Sequence, residues 1–222
     1  MATGWTTNGG RVSAGRHDGA CWRCDGRMGP GLTCPACGAP QPLARDVDSF
    51  AVLGLPRRLT VDRQDLERRY LDASRAVHPD RHQTADDRTR ALSLAASAAV
   101  NQAYRTLRDP VERGRYWLEL HGEPLGRDNN RVPPALAELV FETQEALEAF
   151  RSGAASRDAV VATHAELDAR LASLVRDLEA RYPTWAAADP AAATALQELK
   201  NRLSEIAYLG TLVEDVDEAL GV

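Results

Sequence analysis

From residue 48 onward, apolar residues recur at helical spacing, and prolines cut that spacing into segments of defined length. Val47 to Leu55 reads as a short helix ending at Gly54. Asp62 is a good N-cap, with Asp65 three residues on. Leu66, Tyr70, Ala73 and Val77 then follow at i, i+4, i+7 and i+11, which is one face of a helix. That helix must stop at His78-Pro79, because the residue before a proline is pushed out of the α region. A polar loop, Asp80 to Thr84, leads to a second helix starting near Asp86 or Asp87, with Ala96, Val100, Ala103, Tyr104 and Leu107 on its apolar face. Asp109-Pro110 punctuates it and opens another helix, since proline suits a first turn. That helix carries Val111, Tyr116, Trp117 and Leu120 and ends by Gly122.

The last third follows the same logic. Glu123 to Arg131 is a linker, and Pro133-Pro134 opens a helix near Ala135 with Leu136, Leu139, Val140, Leu147 and Phe150 as its stripe. Ser152-Gly153 ends it. The next helix spans Ser156 to Arg181 through Val160, His164, Leu167, Leu171, Leu174, Val175 and Leu178, and Tyr182-Pro183 is expected to break it. Asp189-Pro190 begins a third, carrying Leu196, Leu199, Leu203, Ile206, Leu209, Leu212, Val213 and Val216. The fold class is therefore all-α. A helical hairpin joined by a tight polar loop precedes an antiparallel three-helix bundle.

All four cysteines lie upstream of the helices, in Cys21-Trp-Arg-Cys24 and Cys34-Pro-Ala-Cys37. A C-x2-C turn aims two sulfurs at one point, and two such turns complete a tetrahedral thiolate site, with zinc the first candidate. Gly38 can take the positive φ that turns backbone N–H groups toward sulfur. Gly26, Gly29, Pro30 and Gly31 reverse the chain between the pairs. Two disulfides and a redox pair at Cys34 and Cys37 are the alternatives. The first needs an oxidising compartment, and the second lacks a surrounding βαβ pattern. Trp22 and Leu32 are placed to cover a small zinc-ribbon-like unit. Arg11, Arg16, Arg23 and Arg27 either touch nucleic acid or keep the unit soluble, and no aromatic–basic interleaving favours the first.

Charge is partitioned along the chain. Residues 1–45 carry a net +3, 46–131 a net +1 and 132–222 a net −9, for −5 overall. That balance gives no case for a basic nucleic-acid binder, and no apolar run approaches the roughly 20 residues of a membrane helix. The N-terminal MATGWTTNGGRVSAGRHDG has no apolar core, so neither a secretory signal nor a targeting peptide is expected. His78, Pro79 and Asp80 sit on the hairpin loop, with Arg68, Arg69, Arg75 and Arg81 on the helix leading in or just after it. Proline between His78 and Asp80 splays the two side chains apart, and no serine or cysteine nucleophile is placed to use them, so the chain is not expected to be an enzyme. The remaining histidines show no ligand spacing. His82 reads as a loop residue and His121 as a helix C-terminal cap.

Leu53-Gly54-Leu55, Tyr70, His78-Pro79-Asp80, Asn101-Gln102-Ala103-Tyr104 with Leu107, and Asp109-Pro110 together resemble a J-domain, the co-chaperone module of DnaK-type ATPases. The ending Arg115-Tyr116-Trp117-Leu118-Glu119-Leu120-His121-Gly122 looks like the HscB branch, co-chaperones of iron–sulfur cluster assembly, some of which carry an N-terminal four-cysteine unit. The resemblance runs from about residue 48 to 222. It implies a four-cysteine zinc-binding segment at 1–45, a J-domain at 46–122, a linker at 123–131 and a scaffold-binding bundle at 132–222. It also implies two partners. A DnaK-type ATPase chaperone would be met by His78, Pro79, Asp80 and the four arginines. An iron–sulfur scaffold protein would be met by Phe141, Glu142 and Glu145 with Tyr208 of the last helix. Where the family often has Leu-Met this chain has Ala137-Glu138, which weakens the apolar anchor or moves it to Leu139. By composition alone those glutamates are an ordinary solvated helix face. Neither nucleic acid nor membrane is an implied partner. The cysteine unit is open to three roles: structural zinc, a homodimer contact, or a redox or iron sensor. The setting implied is the bacterial cytoplasm or the mitochondrial matrix. Two rivals stand beside this reading, a J-protein with an unrelated client and a zinc-ribbon redox or nucleic-acid-binding protein.

Overall fold

The computed structural model describes residues 19–29, 31–44, 46–126, 132–187 and 192–221. Among them there is no strand, and the all-α expectation holds. The cysteine segment adds two isolated antiparallel bridges, Ala20 with Arg27 and Thr33 with Pro40. Arg11, Arg16, Pro30, most of the 123–131 linker and the Asp189-Pro190 helix start lie outside the described residues. No described helix is long and apolar enough to cross a membrane. The chain divides into two compact units, Met1–Arg108 and Asp109–Val222.

The first unit contains the cysteine segment, α1 (Ser49–Val52), α2 (Arg63–Val77), a 3-10 turn (Pro79–His82) and α3 (Asp87–Arg108). Asp48 caps α1 by accepting from the Ala51 N–H at 2.8 Å, and it pairs with Arg57. Asp62 caps α2 as its position predicts, accepting from the Asp65 N–H at 2.8 Å. Leu66 and Val77 of α2 meet α3 across a seam closed by Ala96, Val100, Ala103 and Leu107, with Phe50 of α1 fully buried beside it. The Tyr70 and Tyr104 rings stack at 4.1 Å, and the Tyr70 hydroxyl donates to Asn101 Oδ1 at 3.0 Å.

The second unit holds α4 (Pro110–Leu120), a 3-10 turn (Pro134–Leu136), α5 (Ala137–Arg151), α6 (Arg157–Ala187) and α7 (Ala193–Leu220). α5, α6 and α7 pack pairwise as a bundle, and α4 packs on α6 and α7. The two compact units divide before α4. The buried face of α4 differs from the apolar positions in the sequence: Arg113, Gly114, Trp117 and Leu118 are inside. Burial of Arg113 is offset by Glu179 at 3.8 Å and by the Tyr182 ring, whose centroid is 5.0 Å from the guanidinium carbon.

The expected break at Tyr182-Pro183 does not occur, and α6 runs on to Ala187. A proline inside a helix costs about 3 kcal/mol. Pro183 lies near the helix end, and its neighbours Tyr182 and Trp185 are both buried. The Tyr182 hydroxyl donates to the Pro110 carbonyl, and the Trp185 indole N–H donates to Glu198 at 3.0 Å. Packing against α4 and α7 outweighs the local preference.

Gly114 marks the tightest approach in this unit. A Cβ there would lie 2.6 Å from the buried Tyr182 hydroxyl oxygen and 3.3 Å from methyls of Leu199 and Leu203. On an open helix Gly→Ala stabilises by about 1 kcal/mol. Here overpacking dominates, and Gly114→Ala should destabilise by about 1–3 kcal/mol, read as a lower urea midpoint at unchanged slope.

Candidate functional site

The hairpin turn is shaped by its own side chains. His78 leaves the helical region at φ −59°, ψ 130°, as the following proline demands. Its Nδ1 accepts the Asp80 backbone N–H at 3.2 Å, and its carbonyl accepts the Arg81 N–H at 3.1 Å. With Nδ1 an acceptor, a neutral His78 carries its proton on Nε2, as an outward donor. Behind the turn, Ser93 Oγ of α3 donates to the Val77 carbonyl at 2.7 Å in a buried position. His78, Asp80 and Arg81 are exposed and Pro79 half-buried, so one short turn presents an imidazole, a carboxylate and a guanidinium to solvent.

The four arginines do not form one patch. Arg68 and Arg75 lie on the α2 face opposite the Leu66–Val77 stripe and are exposed. Leu71 stands between them, 41% exposed, a surface apolar residue that charge alone did not reveal. Arg68 pairs with Asp65, and Arg75 lies 3.9 Å from Asp72. Arg69 points sideways, bonding Asp65 at 2.8 Å and the Gly54 carbonyl at 2.6 Å, so it ties α2 to the end of α1. Bonding to Arg69 and Arg68 holds the Asp65 carboxyl below the usual range.

On α5, Phe141 is 65% exposed with Glu142 and Glu145 exposed beside it, on the side away from the buried Thr143 and Leu147. Tyr208 is half-buried on α7. A groove of about 420 Å³ between α5 and α6 is lined by Glu138, Leu139, Glu142, Glu166 and Arg170. The α6 contribution was not anticipated. His164 pairs with two acids, its Nε2 2.8 Å from Asp217 and its Nδ1 3.4 Å from Asp168. His121 does cap α4, with Nδ1 2.8 Å from the Trp117 carbonyl.

The cysteine segment forms two matching knuckles. In each, the first cysteine N–H donates across the turn, Cys21 to Gly26 at 2.8 Å and Cys34 to Ala39 at 2.9 Å. The equivalent positions Asp25 and Gly38 both take positive φ, 54° and 70°, and the Gly38 N–H bonds the Cys34 carbonyl at 2.8 Å. All four thiols are free, and their sulfurs lie within 4.8 Å of one another. Cys21 and Cys37 are 3.7 Å apart, as are Cys24 and Cys34. A tetrahedron with metal–sulfur bonds of about 2.3 Å has edges of about 3.8 Å, so these residues fit a single ion. Gln41, buried after the second knuckle, donates its amide to Cys21 Sγ at 3.3 Å, a partner outside the C-x2-C pattern. Burial pushes the Cys21 thiol up, but the backbone N–H groups of Arg23 and Cys24, with side-chain bonds from Cys34 and Gln41, outweigh it and bring it to about 6. Cys24 moves the other way. Its backbone bond at Gly26 lowers it, but the neighbouring sulfur of Cys37, burial and the other two thiols together carry it to about 12. Only a cation lets all four ionise together.

Residues 48–116 match the DnaJ domain family. Over 138 residues the chain is 37% identical to a co-chaperone protein HscB homolog of Bordetella petrii, covering 62% of this chain and 77% of that one. The chain belongs to the HscB co-chaperone family. It is also similar to the human iron–sulfur cluster co-chaperone protein HscB, at 38% identity over 113 residues, 49% of this chain and 48% of the human one. The crystal structure of human HscB superposes with a TM-score of 0.67 at 26% identity, covering 90% of this chain and 97% of that one. This HscB-family chain thus carries a J-domain, with a four-cysteine cluster suited to a metal ion ahead of it.

Because Cys24 keeps its proton at neutral pH, metal uptake must displace at least that proton. Affinity should therefore rise at least tenfold per pH unit between about pH 7 and 8, and fall correspondingly on acidification. Competition of the full chain against a chelator at several pH values measures that slope.

Proposed function

We propose that this chain is an adaptor between a DnaK-type ATPase chaperone and an iron–sulfur cluster scaffold protein, and that it promotes cluster transfer by stimulating the chaperone's ATPase. The observation that carries the reading is the turn: His78 and Asp80 exposed on either side of the half-buried Pro79, with the His78 ring bonded to the Asp80 N–H, one turn beyond an α2 face carrying Arg68, Leu71 and Arg75. The chain supplies no catalytic group. It acts by binding one state of its partner better than another, which shifts that partner's equilibrium. Arg68, Arg75 and Arg81 steer the encounter, while Arg69 contributes by holding α2 in place.

The scaffold is taken by α5, where Phe141 offers an apolar anchor flanked by Glu142 and Glu145, with Tyr208 of α7 as the second aromatic. A partner with basic residues around an apolar pocket fits that arrangement. Zinc is the ion assigned to the four cysteines, since thiolates alone give a closed structural site. Such a site needs reduced thiols, which supports a reducing compartment, the bacterial cytoplasm or the mitochondrial matrix.

Changing His78 to Gln should abolish stimulation of the chaperone ATPase while leaving the α-helical spectrum intact. Unchanged stimulation would overturn the J-domain role. The double change Phe141→Ala, Tyr208→Ala should weaken scaffold binding by about 30-fold or more, measured by titration calorimetry, with ATPase stimulation in the absence of scaffold unaffected.

A further inference from the structure

The cysteine unit is not an isolated appendage; one of its side chains is seated on the hairpin. Trp22 lies inside the first knuckle, between Cys21 and Cys24. Its indole N–H donates to the Pro40 carbonyl at 2.8 Å and its backbone N–H to Gln41 Oε1 at 3.4 Å, so residues after the second knuckle help to fix the ring. Over that ring, at 4.3 Å from the centroid, sits the guanidinium of Arg88. Arg88 is the second residue of α3. Next to Trp22, Arg23 exerts a favourable electrostatic pull on Asp86. Asp86 holds the N-terminal end of α3, accepting the Thr89 N–H at 2.9 Å and the Thr89 hydroxyl at 2.8 Å, and Thr89 is fully buried.

That end of α3 is where the His78-Pro79-Asp80 turn arrives. The 3-10 turn closes at His82, whose carbonyl accepts the Ala85 N–H at 3.0 Å, and Asp86 follows directly. The contacts thus run without a gap from sulfur to knuckle, from knuckle to indole, from indole to guanidinium, and from the start of α3 to the turn. A segment with so little apolar core depends on its ion for its fold, so the ring is held in place only while the ion is bound.

We propose that Trp22 and Arg88 are positioning residues. Through them the metal-loaded cysteine unit clamps the start of α3 and holds the turn in the conformation that the chaperone binds. The inference rests on the reading that this turn is the chaperone-facing surface. Loss of the ion, the ring or the guanidinium loosens the turn without unfolding the hairpin, whose seam lies farther along α2 and α3. If loosening cuts the competent fraction to a fifth, the half-maximal concentration for stimulation rises about fivefold, and the maximal rate is unchanged.

The test uses the full chain loaded with zinc, as wild type, Trp22→Ala, Trp22→Phe, Arg88→Ala and Arg88→Lys, each checked for zinc content. Two quantities are measured: amide hydrogen exchange across residues 79–87, and chaperone ATPase rate against concentration of the chain. Trp22→Ala and Arg88→Ala should speed exchange across 79–87 and leave α6 and α7 unaffected. They should also raise the half-maximal concentration about fivefold at the same maximal rate. Arg88→Lys keeps a cation over the ring and should restore both readouts, while Trp22→Phe keeps the ring face without its N–H to Pro40 and should recover them in part. Zinc chelation should loosen the turn in wild type but add little to Arg88→Ala, where the clamp is already open. Equal exchange in wild type and a zinc-loaded Arg88→Ala overturns the proposal. So does chelation that loosens both alike, or loosened exchange with an unshifted half-maximal concentration. The exchange comparison needs no partner. A failure of the chaperone reading itself would show separately, as unchanged stimulation by His78→Gln.

Discussion

What the N-terminal unit presents depends on how α2 ends. A helix terminus leaves carbonyls without partners, and a buried carbonyl left bare costs about 1–3 kcal/mol. Pro79 removes a donor that could have continued the ladder, and Val77 at the end of α2 is fully buried. The Ser93 hydroxyl of α3 fills the gap at 2.7 Å. That hydrogen bond satisfies the buried Val77 carbonyl and hangs the turn from α3. The proline fixes the backbone entering the turn, the serine fixes where the turn sits, and the His78 ring, bonded to the Asp80 N–H, fixes the first exposed step. A turn constrained at these three points loses little entropy on binding, which is the physical sense in which it is preorganised.

Local rules made much of this visible in advance. Asp62, Asp109 and Pro110 cap and open helices where their chemistry says they should, and the apolar periodicity of α3 and α7 matches the buried residues almost position for position. The misses share one cause. Pro183 was read by its neighbours in sequence, but its fate was decided by Tyr182 reaching Pro110 and Trp185 reaching Glu198. Arg113 and Gly114 look like surface and flexibility in a linear pattern. In the fold they are a buried cation over an aromatic ring and a gap that lets the Tyr182 hydroxyl pass. Gln41 reads as a polar loop residue until its amide is seen at Cys21 Sγ. Each signal needed the partner's position, which spacing does not carry.

Charge was the least informative feature at the level of sums and the most informative at the level of partners. Arg68, Arg69 and Arg75 are equal in sequence and unequal in structure. Arg69 is committed to Asp65 and the Gly54 carbonyl, whereas Arg68 and Arg75 flank an exposed leucine. Their pairs with Asp65 and Asp72 are surface pairs of the kind worth at most about 1 kcal/mol, so a partner can displace them cheaply. On α5 the same distinction holds in reverse sign. Glu142 and Glu145 stand beside a phenylalanine that is 65% exposed, an exposure with no folding rationale on a helix that has an apolar stripe elsewhere. That pairing of one exposed aromatic with two carboxylates is the feature on which the proposed scaffold contact rests.

The two knuckles show how so small a unit is held together. They repeat one backbone solution, yet the first uses Asp25 at φ 54° where the second uses Gly38 at 70°. A non-glycine residue in that region costs on the order of 1 kcal/mol, and the unit has no core that could absorb it. Four thiols within 4.8 Å of one another add a second unfavourable demand, because one is driven toward ionisation while another is driven away from it. Both demands are met by a single cation. Binding supplies folding free energy on the order of 10 kcal/mol and neutralises the sulfurs together. Trp22, half-buried and bonded through its indole N–H to the Pro40 carbonyl, turns its ring face to Arg88, the second residue of α3.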